Sequence, residues 1–181
     1  VSAADSLTIS GLGPFADQIP TDHTNLAWKA AELVARACGE DPNIQIQIDK
    51  AIPIAAGMAG GSADAAATLL ACDTYWNAGI PRDQLDAMAA TLGSDVPFML
   101  HGGCALGMGR GEVLSPVMIR GNFHWVFAIF DEGLSTAQIY EKTDELRGLE
   151  FEGEPEVPTE LLSALARGDA PALGRLLHND L

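Results

Sequence analysis

Small residues and one hydroxyl are concentrated between residues 50 and 67, in the stretch KAIPIAAGMAGGSADAAA. A strand-like stretch ends here, Pro53 redirects the chain, and an alanine-rich stretch typical of a helix follows. Glycines let a ligand approach the backbone closely, and the first turn of a helix offers unpaired N–H groups and the positive end of the helix dipole. This order predicts a phosphate-binding segment at residues 57–62, called the glycine loop below.

The spacing of these glycines does not match the two commonest phosphate-binding loops. No Gly-Lys-Ser/Thr closes the segment, and Gly57-x-x-Gly60-Gly61 is not the G-x-G-x-x-G of dinucleotide-binding folds. On spacing alone, a turn that merely connects a strand to a helix is the favoured interpretation. Ser62 could cap the helix, or it could offer its hydroxyl to a phosphate or to Mg²⁺.

A single carboxylate, Asp95, stands in the sequence LGSDVP between the end of one predicted helix and a new helical turn. Ser94 could cap that turn, and the helix dipole would favour the ionised form of Asp95. An ionised aspartate near a substrate hydroxyl could take its proton during phosphoryl transfer. An aspartate in the first turn of a helix is, however, also common for purely structural reasons.

The elements that must position these residues follow from apolar periodicity. Ile44, Ile46 and Ile48 alternate with polar residues, which predicts a strand with one buried face. Leucines, valines and alanines at helical spacing predict helices, with Thr24 capping the first and Pro81 in the first turn of a third. The predicted strands are 6–10, 44–48, 104–108 and 124–130; the predicted helices are 24–38, 62–77, 81–92, 135–146, 160–167 (capped by Thr159) and 170–178 (capped by Asp169).

Composition limits the class of protein. The chain has 181 residues, with 10 Lys and Arg against 25 Asp and Glu, a formal charge of −15. This argues against binding to nucleic acid or to an anionic membrane surface, because both require a basic footprint. Three widely spaced cysteines predict neither a disulfide framework nor a zinc site, and fit a reducing cytoplasm. No apolar run is long enough to span a bilayer.

The motif Pro53-x-x-x-Gly57-Met58-x-Gly60-Gly61-Ser62 resembles the second motif of the GHMP small-molecule kinase superfamily. Together with LGSDVPFMLHGG further on, it is most similar to the kinases of 4-diphosphocytidyl-2-C-methyl-D-erythritol in the non-mevalonate pathway to isoprenoids. The resemblance covers the whole chain. One departure is Ala63, where many members of the superfamily have a second serine.

The resemblance implies an α+β fold in two domains, here a nucleotide-binding domain at 1–120 and the start of a C-terminal domain at 121–181. It implies transfer of the γ-phosphoryl group of ATP, with Mg²⁺, to the 2-hydroxyl of the substrate by a cytoplasmic monomer or homodimer. Asp95 would be the catalytic base, Thr136 would hydrogen-bond the substrate, and Tyr140 would stack on its cytosine. The residues expected to contact the nucleotide are Asn25, Lys50, Pro53, Ala55, Gly57, Met58, Ala59, Gly60, Gly61 and Ser62, and the expected metal ligand is Ser62.

Several alternatives remain open. Asn25 could simply start a helix, Lys50 could be a solvated residue at a strand end, and Tyr140 could pack within its domain. The kinase could instead act on mevalonate or homoserine, or the domain could bind ATP without catalysis. The family also has a lysine near its N-terminus, paired with the aspartate base, and a third glycine-rich motif, neither of which is in this chain. We therefore expect the chain to be an internal piece of a longer kinase and to lack activity by itself.

Overall fold

The computed structural model describes residues 1–128, 135–147 and 156–179. They form two compact units, Val1–Gly103 with Gly107–Leu114, and Cys104–Leu106 with Ser115–Leu181. The division falls within strands β4 (Ala105–Met108) and β5 (Val113–Pro116), which form a two-stranded sheet. The domain boundary predicted near residue 120 therefore falls inside the second unit.

The first unit contains a three-stranded sheet in the order β1-β3-β2, formed by β1 (Ser2–Ala3), β2 (Thr8–Leu12) and β3 (Ile44–Asp49). Strand β3 pairs antiparallel with β1 and parallel with β2, where Ile9 lies opposite Ile46. The three alternating isoleucines of β3 are buried and the glutamines between them are exposed, which confirms the predicted strand. A parallel pair needs a crossover connection, and a helix supplies it here.

Four helices complete the first unit: α1 (Leu26–Cys38), α2 (Gly60–Tyr75), α3 (Arg82–Leu92) and α4 (Val96–His101). A short 3₁₀ turn, Ala16–Gln18, follows β2. Helix α1 packs along α2, and α2 also contacts α3 and α4. Their buried faces are rich in alanine, which lets the helices approach closely, and they share one apolar core with the isoleucines of the sheet. The combination of helices and strands confirms the α+β fold class.

Three helix starts differ from the sequence prediction. The cap of α1 is Asn25, whose side chain accepts a hydrogen bond from Ala27 N, whereas Thr24 bonds to the side chain of Asp22. Helix α2 begins at Gly60, so Ser62 is its third residue and does not cap it. Pro81 precedes α3 instead of lying in its first turn. Each shift is one or two residues, which is the scale on which helix ends vary. At α1 one capping residue type replaces another, whereas α2 and α3 begin without a side-chain cap.

The second unit contains α5 (Thr136–Arg147), α6 (Thr159–Arg167) and α7 (Ala170–Leu176). Helices α6 and α7 pack together through a small core of Ala164, Leu165 and Leu173. The Asp169 side chain caps α7 as predicted by accepting a hydrogen bond from Ala172 N. Thr159 does not cap α6, because it is already the first helical residue and Pro158 precedes it.

The strand predicted at 124–130 is wrong for the residues that the structure describes there, 124–128, which have no regular structure. Positions 129 and 130 lie outside the described residues. Trp125, Val126 and Phe127 are exposed, Val126 almost completely. A strand requires a paired neighbour for its backbone hydrogen bonds, and no described strand pairs with this apolar segment.

Candidate active site

Residues 50–56 connect β3 to the glycine loop, whose last three residues form the start of α2. The Lys50 N–H donates to the Leu12 carbonyl over 2.8 Å, which fixes the start of the connection to the end of β2. Further along, Ala55 (φ 54°) and Ala59 (φ 50°) occupy the left-handed region, as does Gly57 (φ 68°). This conformation costs an L-residue with a Cβ about 1–2 kcal/mol. Such strain persists where surrounding structure imposes it, and is common at ligand-binding segments.

The first turn of α2 presents unpaired backbone donors. Its cap residue, Ala59, has no side chain that could accept a hydrogen bond, and no other side chain caps the helix. The N–H groups of Gly60, Gly61 and Ser62 therefore have no acceptor among the described residues. The helix is 16 residues long, so these donors lie at the positive end of a full macrodipole. The arrangement can bind an anionic oxygen without a lysine in the loop.

Gly60 is required by packing beneath this turn. A Cβ at Gly60 would lie 2.9 Å from Ile52 Cγ2 and 3.0 Å from Lys50 Nζ, closer than side-chain carbons normally approach. At Gly61 the nearest atom would be Leu26 Cδ1, at 4.0 Å. The two adjacent glycines thus differ: Gly60 lies against the buried Lys50 and the partly exposed Ile52, whereas Gly61 has open space.

Lys50 is buried and forms an ion pair, contrary to the alternative of a solvated residue at a strand end. It is only 3% exposed, and its ammonium donates to the carboxylate of Asp64. The sequence interpretation did not select Asp64. The available signal was a carboxylate in the second turn of a helix that follows a lysine at the end of a buried strand.

Asn25 lies at the start of α1, next to the start of α2. Its side-chain amide donates to Pro20 O over 2.7 Å, while its side-chain oxygen accepts from Ala27 N over 2.9 Å. The following residue, Leu26, is the neighbour of Gly61 described above. Asn25 thus has the helix-starting role that the sequence left open, and it lies close to the first turn of α2.

Asp95 is the cap residue of α4 and is exposed. Its side chain makes no capping hydrogen bond, and no ion pair to it is found among the described residues. Val96 and Leu100 bury α4 against the core, and Arg82 of α3 donates to the Leu100 carbonyl over 2.6 Å. The carboxylate therefore has no ion-pair partner among the described residues, and it lies at the start of a well-packed helix. Ser94, predicted as the cap, instead precedes it.

The two residues expected to contact the substrate belong to the second unit. Thr136 is the first residue of α5 and Tyr140 follows four positions later, so both lie on the same side of the helix. Both are exposed, Tyr140 by 53%. Tyr140 is therefore not buried in packing, and its ring has a face available for stacking.

The described residues contain no group of three or more His, Cys, Asp or Glu side chains that could hold a metal ion. The described helices also include none with the length and apolarity needed to cross a membrane. Near the first turn of α2, the Ser62 hydroxyl is half-buried and the carboxylate of Asp64 is already engaged by Lys50. Ser62 is thus the residue of this turn whose side-chain oxygen lies outside that ion pair.

Comparison with known proteins places this site in a family. Residues 25–103 match the family model described as the GHMP kinases N terminal domain. A protein of Mycolicibacterium gilvum named 4-diphosphocytidyl-2-C-methyl-D-erythritol kinase is 53% identical over 184 residues, covering all of this chain and 57% of the relative. A protein of the same name from Mycobacterium tuberculosis is 52% identical with the same coverage. The chain thus spans about 57% of the length of the curated relatives it matches.

Solved structures agree with this assignment. A crystal structure of 4-(cytidine 5'-diphospho)-2C-methyl-D-erythritol kinase matches with a TM-score of 0.60 and 33% identity, covering 93% of this chain and 56% of that one. A homoserine kinase from Cytophaga hutchinsonii matches with a TM-score of 0.62 at 15% identity, covering 96% of this chain and 59% of that one, which shows a shared fold alone. The strand, glycine loop and helix that form the site lie within the matched residues 25–103. The chain is therefore similar to the GHMP kinases, and its residues 25–103 match their N-terminal domain in an α+β fold.

Proposed function

We propose that the full-length protein transfers the γ-phosphoryl group of ATP to the 2-hydroxyl of 4-diphosphocytidyl-2-C-methyl-D-erythritol. The observation that carries the proposal is the uncapped first turn of α2 after a strained, exposed loop, in a chain about half identical to kinases of that name. The nucleotide phosphates lie on the amides of residues 57–62, where backbone donors and the helix dipole replace the lysine of other phosphate loops.

Asp95 acts as the general base in this proposal. It takes the proton of the substrate hydroxyl as that oxygen attacks the γ-phosphorus and ADP departs. Its exposed carboxylate has no hydrogen-bond partner among the described residues, so accepting a proton breaks no existing interaction there. The remaining catalysis is positioning and charge stabilisation by the loop amides.

The other assignments concern the ligands. Ser62 offers a hydroxyl to Mg²⁺ held mainly by the nucleotide phosphates, where the ion would neutralise phosphate charge. Asn25 contributes to the nucleotide side of the site. Pro53 and Ala55 line the approach to the glycine loop, and Met58 is part of it. Thr136 and Tyr140 bind the cytidyl part of the substrate by hydrogen bonding and stacking. The protein works in the cytoplasm as a monomer or homodimer.

Two alternatives are separated by the same experiment. Purified full-length protein is incubated with labelled ATP, Mg²⁺ and, in parallel, the cytidyl substrate, mevalonate or homoserine. The proposal expects label transfer to the cytidyl substrate only. Transfer to mevalonate or homoserine would identify a different GHMP kinase, and ATP binding without transfer to any of them would identify a non-catalytic domain.

Substitution Asp95→Asn tests the base. Asparagine keeps the size of the side chain but cannot take the proton, so kcat falls by roughly 10²–10⁴-fold while the Kd for ATP is nearly unchanged. Asp86→Asn, which changes a half-exposed carboxylate of α3, is the matched control and leaves kcat unchanged. An unchanged kcat in Asp95→Asn would remove Asp95 from the mechanism.

A further inference from the structure

An ion pair joins the two ends of the connection that contains the glycine loop. Lys50 directly follows β3, and Asp64 is the fifth residue of α2. The Lys50 side chain is 4% exposed and that of Asp64 is 21% exposed, so the pair is largely excluded from water. The backbone at each end is also fixed: Lys50 N–H donates to Leu12 O, and Asp64 O accepts a 2.7 Å hydrogen bond from Thr68 Oγ1.

The ammonium of this pair lies directly beneath the glycine loop. The position of a Cβ on Gly60 would be 3.0 Å from Lys50 Nζ, so the first turn of α2 rests on the charged group. Asp64 is the carboxylate that pairs with Lys50 among the described residues. A buried ammonium without its carboxylate is strongly unfavourable, and so the lysine side chain is held where Asp64 places it.

We propose that Asp64 is a positioning residue for nucleotide binding, acting through Lys50 to hold the first turn of α2 and the strained loop before it. Lys50 is then part of the support of the loop, and its charge is neutralised by Asp64 instead of being directed at a phosphate. This inference rests on the proposed function, because the ligand that benefits is the nucleotide on the loop amides. Correctly placed donors cost no reorganisation when the ligand binds.

The competing role for Lys50 is direct contact with a phosphate, and the two roles predict opposite results for a double variant. If the pair positions the loop, removing either Lys50 or Asp64 alone leaves one buried charge unpaired and releases the glycine loop. Replacing both by apolar residues, Lys50→Met with Asp64→Leu, removes the two charges together and keeps the packing. Apolar replacement of a buried ion pair is often neutral or stabilising. Under direct contact, the double variant stays as defective as Lys50→Met.

The experiment uses full-length protein and two readouts, hydrogen exchange of peptides covering residues 51–62 and the Kd for ATP, with the melting temperature as a check on folding. For Asp64→Asn and for Lys50→Met we expect faster exchange in these peptides and a Kd raised roughly 10- to 100-fold, the scale of a small misplacement of binding groups. The double variant should return both readouts to within about threefold of wild type. Asp86→Asn, which breaks the half-exposed Arg82–Asp86 pair, is the matched control and should change neither.

Three results would overturn the inference. A double variant as weak in ATP binding as Lys50→Met would assign Lys50 to direct phosphate contact. Faster exchange with an unchanged Kd would show that the pair restrains the loop without serving the nucleotide. Unchanged exchange in both single variants would show no restraint at all. Failure of the proposed function is read separately from the wild type, which would then transfer no label to the cytidyl substrate, while its Kd for ATP still serves as the reference for the variants. If a single variant does not fold, the double variant alone decides.

Discussion

Replacing Gly60 with alanine inserts a methyl group between the first turn of α2 and the side chains beneath it. The new carbon would lie 2.9 Å from Ile52 Cγ2 and 3.0 Å from Lys50 Nζ, so the turn or both side chains must move. Gly61→Ala is the matched control, because its methyl group meets nothing nearer than Leu26 Cδ1 at 4.0 Å. Neither glycine has a positive φ, so backbone strain does not enter the comparison.

The magnitude follows from two terms. Alanine gains up to about 1 kcal/mol over glycine within a helix, and this gain applies to both variants and cancels in their difference. Overpacking costs about 1–3 kcal/mol and applies only at Gly60. We therefore expect Gly61→Ala to be the more stable variant by about 1–3 kcal/mol. At about 2–4 °C per kcal/mol for a domain of 150–250 residues, the melting temperatures of the two variants separate measurably.

The assay is thermal unfolding of the two full-length variants and the wild type under one condition, followed by circular dichroism at 222 nm. Gly61→Ala should melt at or above the wild-type temperature and Gly60→Ala below it. Equal melting temperatures for the two variants would refute the argument, because they would show that the space over Lys50 and Ile52 accepts a methyl group.

Two further predictions concern other described side chains. Asn25→Ala should lower the free energy of unfolding by about 1 kcal/mol, because the cap of α1 is lost. Asn25→Asp is the control, since it keeps the cap and loses only the hydrogen bond to Pro20 O. An unchanged melting temperature in Asn25→Ala would contradict this prediction. Burial raises the pKa of the Cys72 thiol to about 12, so at pH 8 this thiol is protonated and shielded. Iodoacetamide should therefore label the half-buried Cys38 and Cys104 in the native protein, but Cys72 only after unfolding in urea. Mass spectrometry of the labelled protein measures this. Labelling of all three cysteines at one rate in the native protein would contradict the prediction.

The sequence predicted what depends on local patterns. The period-two isoleucines of β3 and the alanine-rich run of α2 are recognisable because each element buries one face, and burial leaves its period in the sequence. The glycine loop was also visible, since its residue types and order carry the chemistry. The resemblance carried by this loop and LGSDVP led to the GHMP kinases, which the family model confirms.

What the sequence did not predict depends on distant partners. The pairing of Lys50 with Asp64 arises only when the chain brings the second turn of α2 back to the residue that follows β3, so the sequence did not indicate that the two residues are partners. The apolar run around Trp125 has the composition of a strand, but strand formation depends on a neighbour that the pattern does not contain. The left-handed backbone of Ala55 and Ala59 was likewise not predicted, because nothing in the sequence distinguishes these alanines from helical ones.

The left-handed alanines have a consequence for the entropy of ligand binding. A glycine at either position would sample a broad region of backbone conformations on both sides of φ = 0, and ordering it would cost more than ordering any other residue. The Cβ of Ala55 or Ala59 removes the backbone conformations that only glycine reaches, so each residue has fewer states to lose when the ligand orders it. The loop therefore meets its ligand with little remaining freedom to lose. Folding these two residues into the left-handed region costs conformational energy, and in return the entropic cost of ordering them when the ligand binds is smaller.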